Sequence, residues 1–162
     1  MVRRDKHNYY LDIAATVSGR GTCLRRNYGA IIVKSDEIIS TGYNGAPRGR
    51  INCTQLGYCI RQQLNIPRGE RYEVCRSVHS EANAIISASR RDMIGSTLYL
   101  SGWDNEENGL VKDACCCSMC KRLVINAGIE KIIIRLTEGE YKVMYVREWI
   151  DSDDSLSEKF GY

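Results

Sequence analysis

Residues 97–136 read TLYLSGWDNEENGLVKDACCCSMCKRLVINAGIEKIIIRL, and this stretch decides the fold class. Thr97 to Ser101 is a short run suited to a strand, and Gly102 to Asp113 is a polar loop. Cys117 to Ala127 has the length and spacing of a helix, closed by Gly128 at the position where helices favour glycine. Lys131 to Leu136 is a second strand, rich in β-branched residues. Strand, helix and strand in succession imply an α/β domain.

Working outward, Ser80 to Arg90 is rich in Ala, Glu and Ile and is expected to be helical. Tyr28 to Val33 and Ile38 to Thr41 are short β-branched runs, joined through Lys34-Ser35-Asp36-Glu37 as a hairpin. Lys6 to Val17 carries apolar side chains at Tyr9, Tyr10, Ile13, Ala14 and Val17, a helical spacing, and Ser18-Gly19-Arg20-Gly21 should end that helix through a left-handed turn. Arg50 to Arg76 has no clean period and reads as an irregular insertion with a short helix near Tyr58 to Leu64. Tyr141 to Ile150 fits either helix or strand, and the acidic end, about 151–162, reads as a solvated tail. With no repeat and no linker, residues 1–162 are expected to form one domain: a mixed sheet with helices packed on it.

The composition bounds the function. At 162 residues, 43% hydrophobic and 27% charged, the chain is ordinary for a folded domain and able to bury roughly 70% of its unfolded surface. Lys and Arg number 23 against 20 Asp and Glu, and a net charge of +3 argues against a nucleic-acid coat. The longest apolar runs are too short and too charged to span a membrane. The opening Arg3-Arg4-Asp5-Lys6 lacks the apolar core of a signal peptide, so a cytoplasmic protein is expected.

Eight cysteines, at 23, 53, 59, 75, 115, 116, 117 and 120, then need an explanation other than disulfides, and at least three are expected to bind metal. Two motifs each open a predicted helix: His79-Ser80-Glu81 and Cys117-Ser118-Met119-Cys120. One imidazole and two thiolates give zinc three protein ligands and leave a fourth position for water, the count of a catalytic rather than a structural site. Zinc lowers the pKa of that water from about 15.7 towards 7. Glu81 is then placed to shuttle protons without binding the metal. H-x-E followed by P-C-x-x-C is a signature of zinc nucleobase deaminases, from which this chain departs by having Cys116 in place of the proline.

The chain resembles the deoxycytidylate (dCMP) deaminases, in particular the bacterial late-competence-operon type. The resemblance rests on TCLRR at 22–26, YGAIIVK at 28–34, IISTGYNGAPRG at 38–49, IPRGER at 66–71 and CRSVHSEANAI at 75–85. It implies the cytidine deaminase-like three-layer sandwich, with a mixed five-stranded sheet and helices on both faces, and a ring-shaped homo-oligomer, a hexamer. It also implies hydrolysis of dCMP to dUMP and ammonia, activation by dCTP and inhibition by dTTP, with Mg²⁺ accompanying the nucleotide effectors.

Carried over by position, the resemblance makes His79, Cys117 and Cys120 the zinc ligands and Glu81 the proton shuttle. It makes Asn44 the residue that holds the sugar and orients the pyrimidine, although Asn-Gly is also a turn former in its own right. Arg25 and Arg26 are the first candidates for the 5′-phosphate, with Arg48 behind them. A second, structural zinc is implied for Cys23, Cys53, Cys59 and Cys75. Two features are peculiar to this chain: Ser80 stands where the resemblance expects alanine, a change expected to matter little, and a long loop carries Trp103, read as a packing anchor in preference to a lid over the base. Two other readings stay open. One is a zinc deaminase acting on another nucleoside, nucleotide or base; the other is a non-catalytic nucleotide-binding zinc module.

Overall fold

A computed structural model describes residues 1–153 of the chain. Its elements run, in order, α1 (Lys6–Ser18), β1 (Arg26–Lys34), β2 (Glu37–Tyr43), α2 (Cys53–Leu56), α3 (Ile60–Gln63), a 3₁₀ turn (Tyr72–Val74), α4 (Ser80–Ile86), α5 (Arg90–Met93), β3 (Thr97–Asp104), β4 (Gly109–Leu110), α6 (Ser118–Ala127), β5 (Lys131–Arg135), β6 (Tyr141–Tyr145) and α7 (Val146–Ser152). Five strands form the sheet in the order β2-β1-β3-β5-β6, and the two-residue β4 adds to the end of β3. Only the β3–β5 pair is parallel, which makes the sheet mixed as expected.

Alternation along the strands builds a core on each face. Ala30, Ile32, Leu98, Leu100, Ile132 and Ile134 point into the core shared with α4 and α6. Their neighbours Ile31, Val33, Tyr99 and Ile133 meet Tyr10, Leu11 and Ala14 of α1 on the other face. The central strands are therefore buried on both sides and read as apolar runs, while the edge strand β6 is largely exposed. This is the three-layer arrangement anticipated from the sequence.

Several boundaries differ from expectation for local reasons. The β1–β2 turn is tighter, because Ser35 and Asp36 both take positive φ (52° and 66°), the backbone of a two-residue hairpin loop. Gly19 does not adopt the left-handed turn: its φ is −61°, and α1 ends in ordinary right-handed geometry. Gly128, with φ of 80°, does cap α6 in the left-handed region. The Ser80–Arg90 helix breaks at Ser87 and restarts as α5, where the Ser89 hydroxyl accepts from the Asp92 amide. Tyr141–Ile150 is strand and then helix, joined at Tyr145. The insertion contains α2 and the 3₁₀ turn besides the short helix expected there. Of the acidic tail, only residues up to Asp153 are described; the rest lies outside the described residues.

One contact positions the site. A Cβ on Gly42 of β2 would overlap the backbone of Ser80 and Ala84, so glycine there lets α4 lie directly on the sheet. Ser40 completes the seat by donating its hydroxyl to the Ala84 carbonyl at 2.7 Å.

Candidate active site

Two helix starts meet beyond the end of the sheet. His79 is the N-cap of α4 and Cys117 the N-cap of α6, both in extended backbone and neither making a side-chain cap bond. Ser, Thr, Asp or Asn would stabilise those ends better. The local rule is broken because these side chains turn towards each other instead. His79 Nδ1 lies 3.4 Å from Cys117 Sγ and 3.4 Å from Cys120 Sγ. The three ligand atoms all fall within 4.8 Å of one another. Tetrahedral zinc, with bonds of about 2.0 Å to nitrogen and 2.3 Å to sulfur, requires an N···S edge of roughly 3.5 Å. The residues present fit the ion.

The electrostatics suit the same purpose. Burial works against a charged His79, yet its hydrogen bonds with Cys117 and Cys75 carry its pKa up to about 11. The Cys117 thiol is drawn down to about 4, first by its hydrogen bond with Cys120 and then, against burial, by His79. Cys120 is pushed up by its bond to Cys117 and by burial. Sharing one proton in this way is the behaviour of closely apposed thiols, and a divalent cation would displace it.

Glu81 sits at the second position of α4 and is 5% exposed. Ser80, fully buried, donates its hydroxyl to Glu81 Oε2 at 3.0 Å. His79, Ser80, Glu81 and Cys117 border one cavity of about 350 Å³, whose wall also includes Arg25, Arg26, Asn44, Arg61, Arg68 and Tyr72, while Cys120 is buried outside that wall. The cavity is thus one-sidedly rich in guanidinium groups, with two of the zinc-type ligands and a carboxylate in the same wall.

The structure brings most of the expected residues to one wall and gives several of them further partners within the fold. Asn44 borders the cavity, and part of its amide capacity serves β1: Oδ1 accepts from the Tyr28 amide at 2.7 Å and Nδ2 donates one hydrogen to the Arg26 carbonyl at 2.9 Å. The paired bridge between Gly45 and Val78 then ties this loop to the residue before His79. Arg26 donates to the buried Asp104 at 2.7 Å and is 23% exposed, so it serves the scaffold as well as the cavity. Arg25 borders the cavity, while Arg48 does not and is exposed. Trp103 faces away, towards the end of α1, in a separate hollow with Ala15 and Ser18. It is 39% exposed there, on a hollow separate from the cavity beside His79.

Cys23, Cys59 and Cys75 border the catalytic cavity and Cys53 the hollow behind it. Burial, and then the charges of Cys23, Cys75 and Cys59, push the Cys53 thiol up, which marks the four as neighbours. Among the described residues, however, only His79, Cys117 and Cys120 converge as a ligand group. Cys75 instead pairs with His79, which, against its burial, holds the Cys75 thiol below the ordinary range.

The sequence reading missed three wall residues from the insertion. Arg61 is 4% exposed, donates to the Pro67 and Glu70 carbonyls, and lies 4.5 Å above the ring of Tyr72. Tyr72 in turn packs edge-on against His79 with ring centroids 5.1 Å apart. Arg68 pairs with Asp113 at 2.6 Å, both side chains largely exposed. Arg68 and Arg71 lie within the IPRGER run, the one signal that marked this segment; Arg61 and Tyr72 carry no pattern of their own.

The profile described as "Cytidine and deoxycytidylate deaminase zinc-binding region" matches residues 4–136. The protein named deoxycytidylate deaminase of Mycobacterium phage D29 is 34% identical over 138 residues, spanning 82% of this chain and 96% of that protein. The Saccharomyces cerevisiae protein of the same name is 30% identical over 150 residues, covering 89% of this chain but only 43% of the yeast protein. Among solved structures, the dCMP deaminase of cyanophage S-TIM5 superposes with a TM-score of 0.57 at 24% identity, over 83% of this chain and 85% of that one. That likeness establishes the shared fold.

Proposed function

The chain belongs to the cytidine and deoxycytidylate deaminase zinc-binding family, and from that premise we propose that it hydrolyses dCMP to dUMP and ammonia. The observation that carries this reading is a single cavity bordered by His79, Cys117, Glu81 and a set of arginines, with Cys120 completing the ligand group beside it. A nucleotide needs both ends served: a deaminating centre for the base and cations for the phosphate.

His79, Cys117 and Cys120 would hold zinc, which when bound supplies a Lewis acid that activates water near neutral pH. Glu81 takes one proton from water and gives it to the ring nitrogen beside the reacting carbon, then takes the second from the added hydroxyl and gives it to the departing amine. Burial keeps bulk water from competing for that proton. Asn44 presents its amide at the cavity wall while anchoring β1, in keeping with contact to the sugar. Arg25 and Arg68 are suited to the 5′-phosphate through charge-assisted bonds. The Arg68–Asp113 pair is exposed and therefore weak, so phosphate can replace the carboxylate.

The stoichiometry we propose is one catalytic zinc, with a second structural ion if Cys23, Cys53, Cys59 and Cys75 draw together on binding it. Activation by dCTP and inhibition by dTTP with Mg²⁺, a hexameric assembly and a cytoplasmic location complete the proposal on the strength of the family. None of the described helices is long and apolar enough to cross a membrane. Absorbance loss on dCMP with zinc-replete protein tests the reaction, with Glu81→Ala beside it. Turnover in the parent and a loss of about 10²–10⁴-fold in the variant, with zinc retained, is the expected result. An inert parent under dCTP and Mg²⁺ would overturn the substrate assignment.

A further inference from the structure

The insertion between β2 and α4 reaches the zinc-type cluster through one aromatic ring. His79 sits at the N-cap of α4, outside the helical backbone, and its Nδ1 faces both Cys117 and Cys120 at 3.4 Å. The helix does not fix that orientation, because the torsion that turns an imidazole on its Cβ is broad and roughly two-fold. Tyr72 supplies a wall for it. The two rings meet at 84° with centroids 5.1 Å apart, an edge-to-face contact.

Tyr72 in turn opens a 3₁₀ turn of three residues, entered through Arg71 at a φ of 49°. So short a turn holds its backbone but leaves the side chain to be placed by neighbours. Arg61 is that neighbour. Its guanidinium carbon lies 4.5 Å from the centroid of the Tyr72 ring, and one terminal nitrogen donates to the Pro67 carbonyl at 2.8 Å and the Glu70 carbonyl at 2.6 Å. Those carbonyls belong to the loop that leads into Tyr72, so one side chain ties loop and ring together.

Arg61 is 4% exposed, and none of the ion pairs among the described residues includes it. A cation buried without a counter-ion is costly unless its surroundings replace water. Here the two carbonyls and the π-face of Tyr72 replace it. An apolar side chain would pack the insertion without that cost, so the charge points to a use at the ring.

On the reading of His79 as a zinc ligand, we propose that Arg61 and Tyr72 act in series as positioning residues for it. Arg61 fixes the Tyr72 ring, and the ring fixes the plane of the imidazole with Nδ1 towards the two sulfurs. The insertion thus supports the metal centre through side chains two steps removed from the ion.

The test uses full-length protein stripped of metal and reloaded, as parent, Tyr72→Phe, Tyr72→Leu, Arg61→Lys and Arg61→Met. Zinc affinity is read by competition with a chromophoric chelator, and the visible bands of Co²⁺ bound in place of zinc report the geometry of the ligand set. Tyr72→Leu should weaken zinc about 10–100-fold and shift the Co²⁺ bands, while Tyr72→Phe, which keeps the ring, should stay within about twofold of the parent. Arg61→Met, which keeps the stem without the charge, should lose about tenfold, and Arg61→Lys should recover most of it. Melts of the metal-free proteins separate this from packing, because a purely structural role lowers those melts and leaves affinity and bands alone. Parent affinity and parent Co²⁺ bands in Tyr72→Leu would overturn the proposal, whether or not Arg61→Met folds. A raised KM for dCMP with parent zinc affinity in Arg61→Met would make Arg61 a substrate contact and overturn its part. A parent that binds neither ion removes the zinc reading and the proposal together. A zinc-binding parent inert towards dCMP sinks the substrate reading alone, and the affinities, measured without substrate, still decide the proposal.

Discussion

The imidazole Nδ1 of His79 lies 3.4 Å from the sulfur of Cys117, 38 positions further along the chain. The two side chains are brought together because α4 and α6 pack on the same face of the sheet and begin at the same end of it. Zinc binding should therefore stabilise the fold as a whole. At free zinc of 100 times Kd the contribution is about 2.7 kcal/mol, so chelation should lower Tm by roughly 5–10 °C. Cys120→Ser should weaken zinc binding at least about 100-fold and abolish that chelator-sensitive shift. Metal analysis and thermal melts with and without chelator check this; a Cys120→Ser protein that retains zinc at parent affinity would remove Cys120 from the ligand set.

The arginines should separate into two kinds. Arg26 is paired with a buried carboxylate, whereas Arg68 is in an exposed pair that phosphate can displace. Arg68→Ala should raise KM for dCMP by about tenfold and leave deoxycytidine turnover unaltered, with stability near that of the parent. Arg26→Ala should instead destabilise the protein by about 1–3 kcal/mol, because Asp104 loses its charged donor. Steady-state kinetics on nucleotide and nucleoside, set beside urea melts, distinguish the two; equal loss of stability in both variants would contradict the division.

Asp104 also gives a pH signature. Its burial alone would raise the carboxyl, but the Glu107 amide, the Arg26 guanidinium and the Glu106 amide outweigh it and hold the group below the ordinary aspartate range. A carboxylate with a depressed folded-state pKa contributes stability in full above its unfolded pKa of about 3.9, and loses it as pH falls through the folded value. Unfolding free energy should thus be insensitive to this group above about pH 5 and decline below about pH 4. Asp104→Asn should lower stability at neutral pH and flatten that acid decline. Urea titrations across the acid range check it, and an unchanged slope in Asp104→Asn would show that the pair does not contribute.

Gly42→Ala tests how the catalytic helix is seated. The added methyl group meets backbone rather than a flexible side chain, so α4 must move. A cost of about 1–3 kcal/mol is expected, lowering Tm by about 2–4 °C per kcal/mol, together with a fall in kcat as His79 and Glu81 shift. Comparison with Gly139→Ala, where a Cβ meets nothing within 4 Å, provides the control. Similar melts for the two variants would show that α4 does not depend on this contact.

The chemistry of the centre was legible because its residue types are written in short motifs at helix starts. His79, Glu81, Cys117 and Cys120 each needed only a neighbour two or three residues away to be noticed. The α/β class was legible for a similar reason: strand and helix periods differ, and β5 and the end of α6 are marked by a β-branched run and by Gly128. The β1–β2 turn was tighter than expected because Ser35 and Asp36 tolerate positive φ without the glycine that usually announces it. The bond from Ser80 to Glu81 was not legible, because a hydroxyl beside a carboxylate is informative only once both are known to be buried.

By itself, then, the sequence marked the layer architecture and the residue types gathered at the centre, since these depend on local periodicity and short spacing. The tertiary structure alone decided which arginine is scaffold and which is available, that Trp103 lies on a hollow apart from the cavity, and that the buried Ser80 hydroxyl meets Glu81. Those outcomes depend on which distant side chains share a buried volume, where pairing with a carboxylate or carbonyl is decided by packing and desolvation rather than by proximity along the chain.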